Sequence, residues 1–228
     1  MGREDAIAIL GGTGDQGLGL ALRFAKAGRP VVIGSRKLER ALSAAAEVAS
    51  LVPGADVVGL SNEDATRRAE IVILSVPFEF TAATVKSLRE VLAPGQVLVS
   101  MAVPLATAIG DGAVRTLGIW QGSAAEMVQA LAPKGIPVVS AFQNVSAHRL
   151  RDLDHPVECD VVVSGQKAAR QRVIELCALV PGLRGLDGGV LANARIVEDL
   201  TALLIGLNIR LKVPEGLGIR LTGLPPVE

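Results

Sequence analysis

A glycine-rich segment near the start of the chain limits the possible folds more than any other feature. An apolar run at residues 6–10 is followed by Gly12-Thr13-Gly14-Asp15-Gln16-Gly17 and then by a stretch with helical periodicity that extends to Ala27. Between a strand and a helix, the first glycine of such a motif permits a tight turn. The second lets a pyrophosphate approach the backbone, and the third allows close helix–strand packing. With the N–H donors of the helix N-terminus, the segment predicts a dinucleotide-binding turn.

Short β-rich runs alternate with helical runs over the following hundred or so residues. Strands are predicted at 6–10, 31–34, 56–60, 71–75, 97–100 and 137–140. Helices are predicted up to residue 27 and at 38–51, 62–69, 81–91 and 123–131. This alternation is typical of an α/β fold with a Rossmann-type doubly wound parallel sheet.

The pattern changes after about residue 150. A short strand at 160–164, helices at 167–180 and 193–211, and a glycine-containing tail at 216–218 follow. We therefore predict a dinucleotide-binding Rossmann domain over 1–150 and a small C-terminal domain over 151–228 that packs over it.

The end of the second strand predicts which dinucleotide binds. Gly34-Ser35-Arg36 lies about twenty residues beyond the glycines, where enzymes that use NAD carry an acidic residue for the ribose hydroxyls. Ser35 and Arg36, with Arg40 four residues on, favour a ribose 2′-phosphate instead. The alternative is a solvated helix start, but cationic side chains suit a helix N-terminus poorly unless an anion is bound. NADP is therefore predicted over NAD.

Two further strand ends are candidates for the nicotinamide side of the site. Val76 and Phe78 follow the fourth predicted strand, and Val103 follows the fifth. Ligands of open α/β sheets lie at the carboxyl ends of the strands. Phe78 is equally compatible with a simple hydrophobic residue at a strand end.

Composition argues against several classes of partner. Lys plus Arg and Asp plus Glu both number 23, so no overall field attracts nucleic acid or an anionic membrane. The apolar stretch at 200–209 is far shorter than the roughly 20 residues that span a bilayer. Cys159 and Cys177 lie within apolar runs and match no disulfide or metal-ligand spacing. A cytoplasmic protein without nucleic-acid, membrane or metal partners is predicted.

Residues for acid–base or nucleophilic catalysis are nearly absent. The chain has no Tyr, and its two histidines, His148 and His155, have no recognisable catalytic partner. We expect no catalytic side chain. A reaction in which hydride passes between two stacked cofactor rings needs the protein mainly to position them.

Taken together and in this order, the motifs resemble those of the coenzyme F420-dependent NADP oxidoreductases of methanogenic archaea and actinobacteria, over nearly the whole chain. The residues that carry the resemblance are Leu10–Gly14 with Gly17, Gly34–Arg36, Asn62–Ala65, Val76–Phe78, Ser123–Glu126, Asn193–Arg195 and Gly216–Ile219.

The resemblance implies reversible hydride transfer between NADP(H) and coenzyme F420, a deazaflavin, in a cleft between two domains of a homodimer. It implies that Thr13–Gln16 line the pyrophosphate turn, and that Ser35, Arg36 and Arg40 hold the 2′-phosphate. Val76, Phe78, Val103 and Ala147 would flank the nicotinamide. Leu217 and the segment Phe142–Val145, including Gln143, would face the deazaflavin.

This chain departs from the family pattern at two positions. Phe78 stands where an archaeal member has Trp, and Gln143 stands where one has His. Either change affects the predicted affinity for the deazaflavin or the direction of the reaction. Two alternatives stay open: an NADPH-dependent flavin or imine reductase of the same fold, and a non-catalytic NADP(H) sensor.

Overall fold

A computed structural model describes residues 5–224 of the chain. Within this range the strands are β1 (Ile7–Leu10), β2 (Val31–Ser35), β3 (Val57–Ser61), β4 (Ile71–Leu74), β5 (Val97–Ser100), β6 (Val138–Ser140), β7 (Cys159–Gly165) and β8 (Leu183–Asp187). The α-helices are α1 (Asp15–Lys26), α2 (Leu38–Leu51), α3 (Asn62–Arg67), α4 (Phe78–Ser87), α5 (Ala124–Leu131), α6 (Ala147–Arg151), α7 (Lys167–Ala178) and α8 (Ala194–Leu211).

The strands form one mixed sheet in the order β3-β2-β1-β4-β5-β6-β7-β8. Strands β1 to β6 are all parallel to one another, which confirms the predicted Rossmann-type, doubly wound parallel sheet. The chain crosses from β3 at one edge to β4 on the other side of β1. The strand order therefore reverses between β1 and β4, and ligands of doubly wound sheets bind at such a switch point.

The central strands are apolar because helices cover the sheet on both faces. Every residue of β1, β4 and β5 is buried. Ile7 and Ile9 pack in the core that contains Phe24 of α1. Ala8 and Leu10 point to the opposite core, which contains Val85 of α4. This alternation is the period of two that a strand imposes on its side chains.

The part of the chain beyond residue 150 extends the same sheet. Strand β7 pairs with β6 in antiparallel register, Ser140 opposite Ser164, and β8 pairs with β7 in parallel register. Val161 of β7 and Val173 of α7 belong to the same apolar core as Ile7 and Ile9. Residues 159–187 thus lie beside the Rossmann strands at the sheet edge, and the division into two domains near residue 150 stays a prediction.

A buried arginine connects α1 to the segment that contains α6. The guanidinium of Arg23 donates from Nε to the carbonyl of Leu150 at 2.9 Å and from Nη2 to the carbonyls of Arg149 at 2.7 Å and His155 at 2.9 Å. It also donates to the carbonyl of Asp152. These bonds satisfy carbonyls at the end of a five-residue helix, so α6 is fixed against α1.

Sequence reasoning predicted most elements and missed two. Strand β8, Leu183–Asp187, carries charges at both its second and last positions and lacks a continuous apolar run. Helix α6 is too short to show a period of 3.6 residues. Within residues 5–224, no helix has both the length and the apolar character that crossing a membrane requires.

Candidate dinucleotide-binding site

The glycine turn links β1 to α1 at the switch point of the sheet. Gly11 has a φ of +78°, and a Cβ there would lie 2.5 Å from the carbonyl oxygen of Ser75 in the neighbouring strand end. A Cβ on Gly17 would lie 2.8 Å from the Cα of Gly12. At Gly14, by contrast, the nearest atom would be 3.6 Å away. Gly11 and Gly17 are therefore required by packing, whereas Gly14 leaves an open approach to the backbone.

The structure modifies one role that the sequence suggested. The left-handed residue of the turn is Gly11, and Gly12 has no positive φ. Gly12 is needed because a Cβ there would lie 2.9 Å from the carbonyl oxygen of Ile9. Both glycines serve the turn, one through its backbone angle and the other through close packing.

A cavity of about 820 Å³ opens above this turn at the carboxyl ends of the parallel strands. Its volume falls in the usual range for sites that bind cofactors or drug-sized ligands. Its lining comes from the turns that follow β1 to β5 and from the first residues of the helices after them. The lining residues are Gly11, Thr13, Gly14, Asp15, Gln16, Ser35, Arg36, Lys37, Arg40, Asn62, Ser75, Val76, Pro77, Phe80 and Met101.

Three cations lie together at the β2 end of the cavity. Arg36, Lys37 and Arg40 all line it, beside Ser35. The guanidinium carbon of Arg36 lies 4.6 Å from the centre of the Phe80 ring, a cation–π geometry that holds the planar group in place. The backbone N–H of Lys37 donates to Ser35 Oγ at 3.2 Å. The arrangement is suited to an anion such as a phosphate monoester.

A buried amide without a partner adds to the wall of the cavity. Asn62 is the first residue of α3 and is 4% exposed, yet its Oδ1 has no hydrogen-bond partner among residues 5–224. Buried acceptors are normally paired, so this oxygen is available to a donor on a ligand.

Sequence reasoning did not assign a binding role to Lys37, Asn62, Phe80 or Met101. Asn62 follows β3 and Met101 follows β5, so the rule that ligands lie at carboxyl ends of strands is a signal that identifies both. Phe80 lies on α4 and approaches Arg36 only through the fold, for which the sequence carries no local signal.

The predicted site residues fall into two groups in the structure. Thr13 to Gln16, Ser35, Arg36, Arg40 and Val76 line the cavity, with Gly12 and Gly17 packed in the turn beneath it. The remaining predicted residues lie outside its lining, and they are Phe78, Val103, Phe142, Gln143, Val145, Ala147 and Leu217.

Several of the predicted residues outside the cavity lie in the turn after β6 and in the tail after α8. Phe142, Gln143 and Val145 form a buried turn directly after β6, where Gln143 Nε2 donates to Ser140 Oγ. Gln143 is only 5% exposed, so in this structure its side chain points into the protein. The backbone N–H of Leu217, in the tail after α8, donates to Asn208 Oδ1 at 2.8 Å.

A buried carboxylate lies near the loop that follows β5. Glu198 of α8 is 1% exposed and accepts the backbone N–H groups of Ala124 at 2.9 Å and Ala125 at 3.1 Å, at the start of α5. Loss of hydration raises the pKa of Glu198 to about 7, although the two N–H groups favour the ionised form. A small cavity of about 160 Å³ beside it is lined by Pro104, Thr116 and Arg195 among others.

The histidines lie away from the cavity. His148 is exposed on α6, and His155 pairs with Asp152 at 2.8 Å on the surface. Neither lines the 820 Å³ cavity.

The strand order, the switch point and the glycine turn place this protein in the class of Rossmann-type dinucleotide-binding proteins. Residues 6–104 match the family model described as NADP oxidoreductase, coenzyme F420-dependent. The chain belongs to this family of F420-dependent NADP reductases.

Two relatives and one solved structure illustrate the similarity. The chain is 51% identical to the F420-dependent NADP reductase of Methanocaldococcus jannaschii, over 96% of this chain and 98% of that protein. It is 45% identical to the F420-dependent NADP reductase of Methanothermobacter marburgensis, over 96% and 99%. A 1.70 Å crystal structure from Arthrobacter sp. FB24 is described as a proposed F420-dependent NADP reductase. It is 26% identical to this chain, with a TM-score of 0.76, over 94% of this chain and 99% of that chain.

Proposed function

We propose that this protein transfers hydride reversibly between NADP(H) and coenzyme F420. The observation that carries the proposal is the 51% identity to an F420-dependent NADP reductase over nearly the full length of both chains. The cavity at the switch point supports it, because its glycine turn and cationic end suit a phosphorylated dinucleotide.

The dinucleotide is expected to extend along the cavity from β2 to β5. Its 2′-phosphate would lie between Ser35, Arg36 and Arg40, with Lys37 as a further cation. Phe80 contacts only the flat face of the Arg36 guanidinium, so the N–H groups at the edge of the guanidinium can bind phosphate oxygens. The pyrophosphate would rest on the open backbone at Gly14.

The nicotinamide would then lie near Val76 and Met101, at the ends of β4 and β5. The next strand along the sheet is β6, and the turn Phe142–Val145 follows it directly. We expect the deazaflavin to bind at this end of the sheet, so that its ring stacks on the nicotinamide.

No side chain is needed to donate the proton that accompanies the hydride. The chain contains no Tyr, and His148 and His155 do not line the cavity. In the proposed reaction a hydride would pass from NADPH to the deazaflavin, and water would supply the accompanying proton. The protein would contribute by orienting the two ligands, an effect that lowers the barrier by about 7–11 kcal/mol in well-oriented systems.

Absorption spectroscopy tests the proposal and its alternatives. Purified protein is mixed with NADPH and oxidised F420, and in parallel with NADPH and a flavin or a cyclic imine. We expect the visible band of F420 to bleach, with NADH a much poorer donor. Turnover of the flavin or imine with none of F420 would favour the alternative reductase, and NADPH binding without any turnover would favour a sensor.

The homodimer and the cytoplasmic location stay predictions that the resemblance and the composition suggest. Sedimentation at several protein concentrations tests the first, and cell fractionation tests the second.

A further inference from the structure

The side chain of Gln16 lies in the dinucleotide turn but binds a distant loop. Its Nε2 donates to the carbonyl oxygen of Phe142 at 3.0 Å and to that of Val145 at 3.1 Å, across 126 and 129 residues of sequence. A side-chain amide carries two N–H donors. Both are used by these carbonyls, so the Gln16 side chain has no N–H left for a pyrophosphate oxygen.

The loop that Gln16 binds is held in an unusual conformation. Phe142 has a φ of +69°, a backbone region that bulky residues rarely adopt. Its ring is fully buried and meets the Phe24 ring of α1 edge-on, with the ring centres 6.3 Å apart. Such a conformation persists only where the surroundings enforce it, and α1 supplies that constraint through Phe24 and Gln16.

The rest of the loop is anchored to the sheet. Asn144 Nδ2 donates to the carbonyl of Asp160 in β7 at 2.8 Å, and Gln143 bonds to Ser140 in β6. The sheet therefore fixes the middle of the loop. Gln16 fixes its first and last residues against the turn that is expected to carry the pyrophosphate.

We propose that Gln16 is a positioning residue that sets the placement of the Phe142–Val145 loop, and hence of the deazaflavin, relative to the nicotinamide. This inference rests on the proposed function, which places the deazaflavin beside that loop. Hydride transfer is sensitive to such placement, since a shift of 1 Å can cost about a hundredfold in rate. The residue thus acts on the second substrate although it lies within the dinucleotide motif.

A pair of methionine variants tests the proposal. Gln16→Met removes the two N–H donors and keeps a side chain of similar length. Lys26→Met is the matched control, because Lys26 also lies on α1 and donates to a distant loop carbonyl, that of Leu153, at 2.6 Å, but lies outside the 820 Å³ cavity. For wild type and both variants we would measure the Kd for NADPH alone, kcat at saturating F420, and the KM for F420.

We expect Gln16→Met to keep its NADPH Kd within about twofold while kcat falls by roughly 10- to 100-fold or the KM for F420 rises comparably. Lys26→Met should match wild type in all three. An NADPH Kd that weakens as much as turnover would make Gln16 a dinucleotide ligand and overturn the proposal. An unchanged kcat and KM in Gln16→Met, or an equal loss in Lys26→Met, would overturn it as well.

Hydrogen exchange separates this inference from the proposed function. In protein without ligand, the backbone amides of residues 142–147 should exchange faster in Gln16→Met than in wild type or in Lys26→Met. This result does not depend on which substrate the protein uses. If wild-type protein reduces no F420, the proposed function fails and the role in placing a deazaflavin fails with it. If wild type reduces F420 but loop exchange is unchanged in Gln16→Met, the proposed function stands and the positioning role is wrong.

Discussion

Replacing Gly14 and Gly17 by valine, one at a time, separates the glycine that a ligand requires from the glycine that the fold requires. Gly14 has an extended backbone, φ −91° and ψ 162°, and an added Cβ would meet its nearest atom at an ordinary contact distance of 3.6 Å. An added Cβ at Gly17 would lie 2.8 Å from Gly12 Cα and 2.9 Å from the Gly11 carbonyl oxygen, and both of these are backbone atoms.

The magnitudes follow from these contacts. For Gly14→Val, the less favourable N-cap residue costs about 1 kcal/mol, and the lower entropy of the unfolded chain offsets about 0.4–1 kcal/mol of that. The free energy of unfolding should therefore change by less than about 1 kcal/mol. For Gly17→Val, overpacking against backbone should cost about 3 kcal/mol, the upper part of the usual range.

Gly14→Val, which should change stability little, should weaken NADPH binding markedly. In Gly14→Val the branched side chain occupies the approach to the turn, and an overpacking cost of about 1–3 kcal/mol corresponds to a roughly 5- to 150-fold weaker NADPH Kd. Urea unfolding followed by circular dichroism gives the stabilities, and fluorescence titration gives the Kd. A Gly14→Val protein that binds NADPH like wild type, or that is destabilised as strongly as Gly17→Val, would refute this division of roles.

Three further substitutions test charged side chains of the site and of the fold. Arg36→Ala should weaken NADPH binding by about 1.5–3 kcal/mol and NADH binding little, because only NADPH carries the 2′-phosphate; equal losses would contradict the assignment. Because the pKa of Glu198 is raised to about 7 in the folded protein, protonated Glu198 contributes roughly 3 kcal/mol to stability below pH 4.5. This contribution is lost as the pH rises from 4.5 to about 7. In Glu198→Gln, the free energy of unfolding in urea should therefore depend less on pH in this range. Burial by itself would raise the pKa of Asp160, but hydrogen bonds from Arg184, the N–H of Leu221 and Arg220 outweigh it and lower the pKa to about 2. The carboxylate therefore contributes about 2 kcal/mol of stability above pH 3.8, and this contribution is lost as the pH falls towards 2. Asp160→Asn should remove this loss of stability in acid and destabilise the protein at pH 7.

The sequence predicted those parts of the fold and site that depend on local signals. The glycine turn, the bounds of α2 and the Ser123 cap of α5, which accepts the N–H of Glu126 at 3.0 Å, all follow from residues within a few positions of one another. Arg36 and Arg40 could be predicted to lie near the dinucleotide turn because they follow β2 within five residues.

The remaining features depend on contacts between distant segments. Gln16 looks like a pyrophosphate ligand from its place in the motif, and its bonds to Phe142 and Val145 appear only when α1 and the loop after β6 are brought together. Likewise Phe80 supports Arg36 across the cavity, and β8 forms at a sheet edge despite its charged residues. Contacts of this kind depend on tertiary packing, and no local sequence pattern predicts them.

The antiparallel pairing of β7 with β6 affects how the chain folds during its synthesis. Val138 to Ser140 are buried, and β6 is hydrogen-bonded on both sides, to β5 and to β7. A protein cut at residue 150 would expose the N–H and C=O groups of one side of this apolar strand. An uncovered edge of that kind is a template for pairing with other chains. During synthesis, the first 150 residues therefore have an aggregation-prone edge until β7 emerges and covers it.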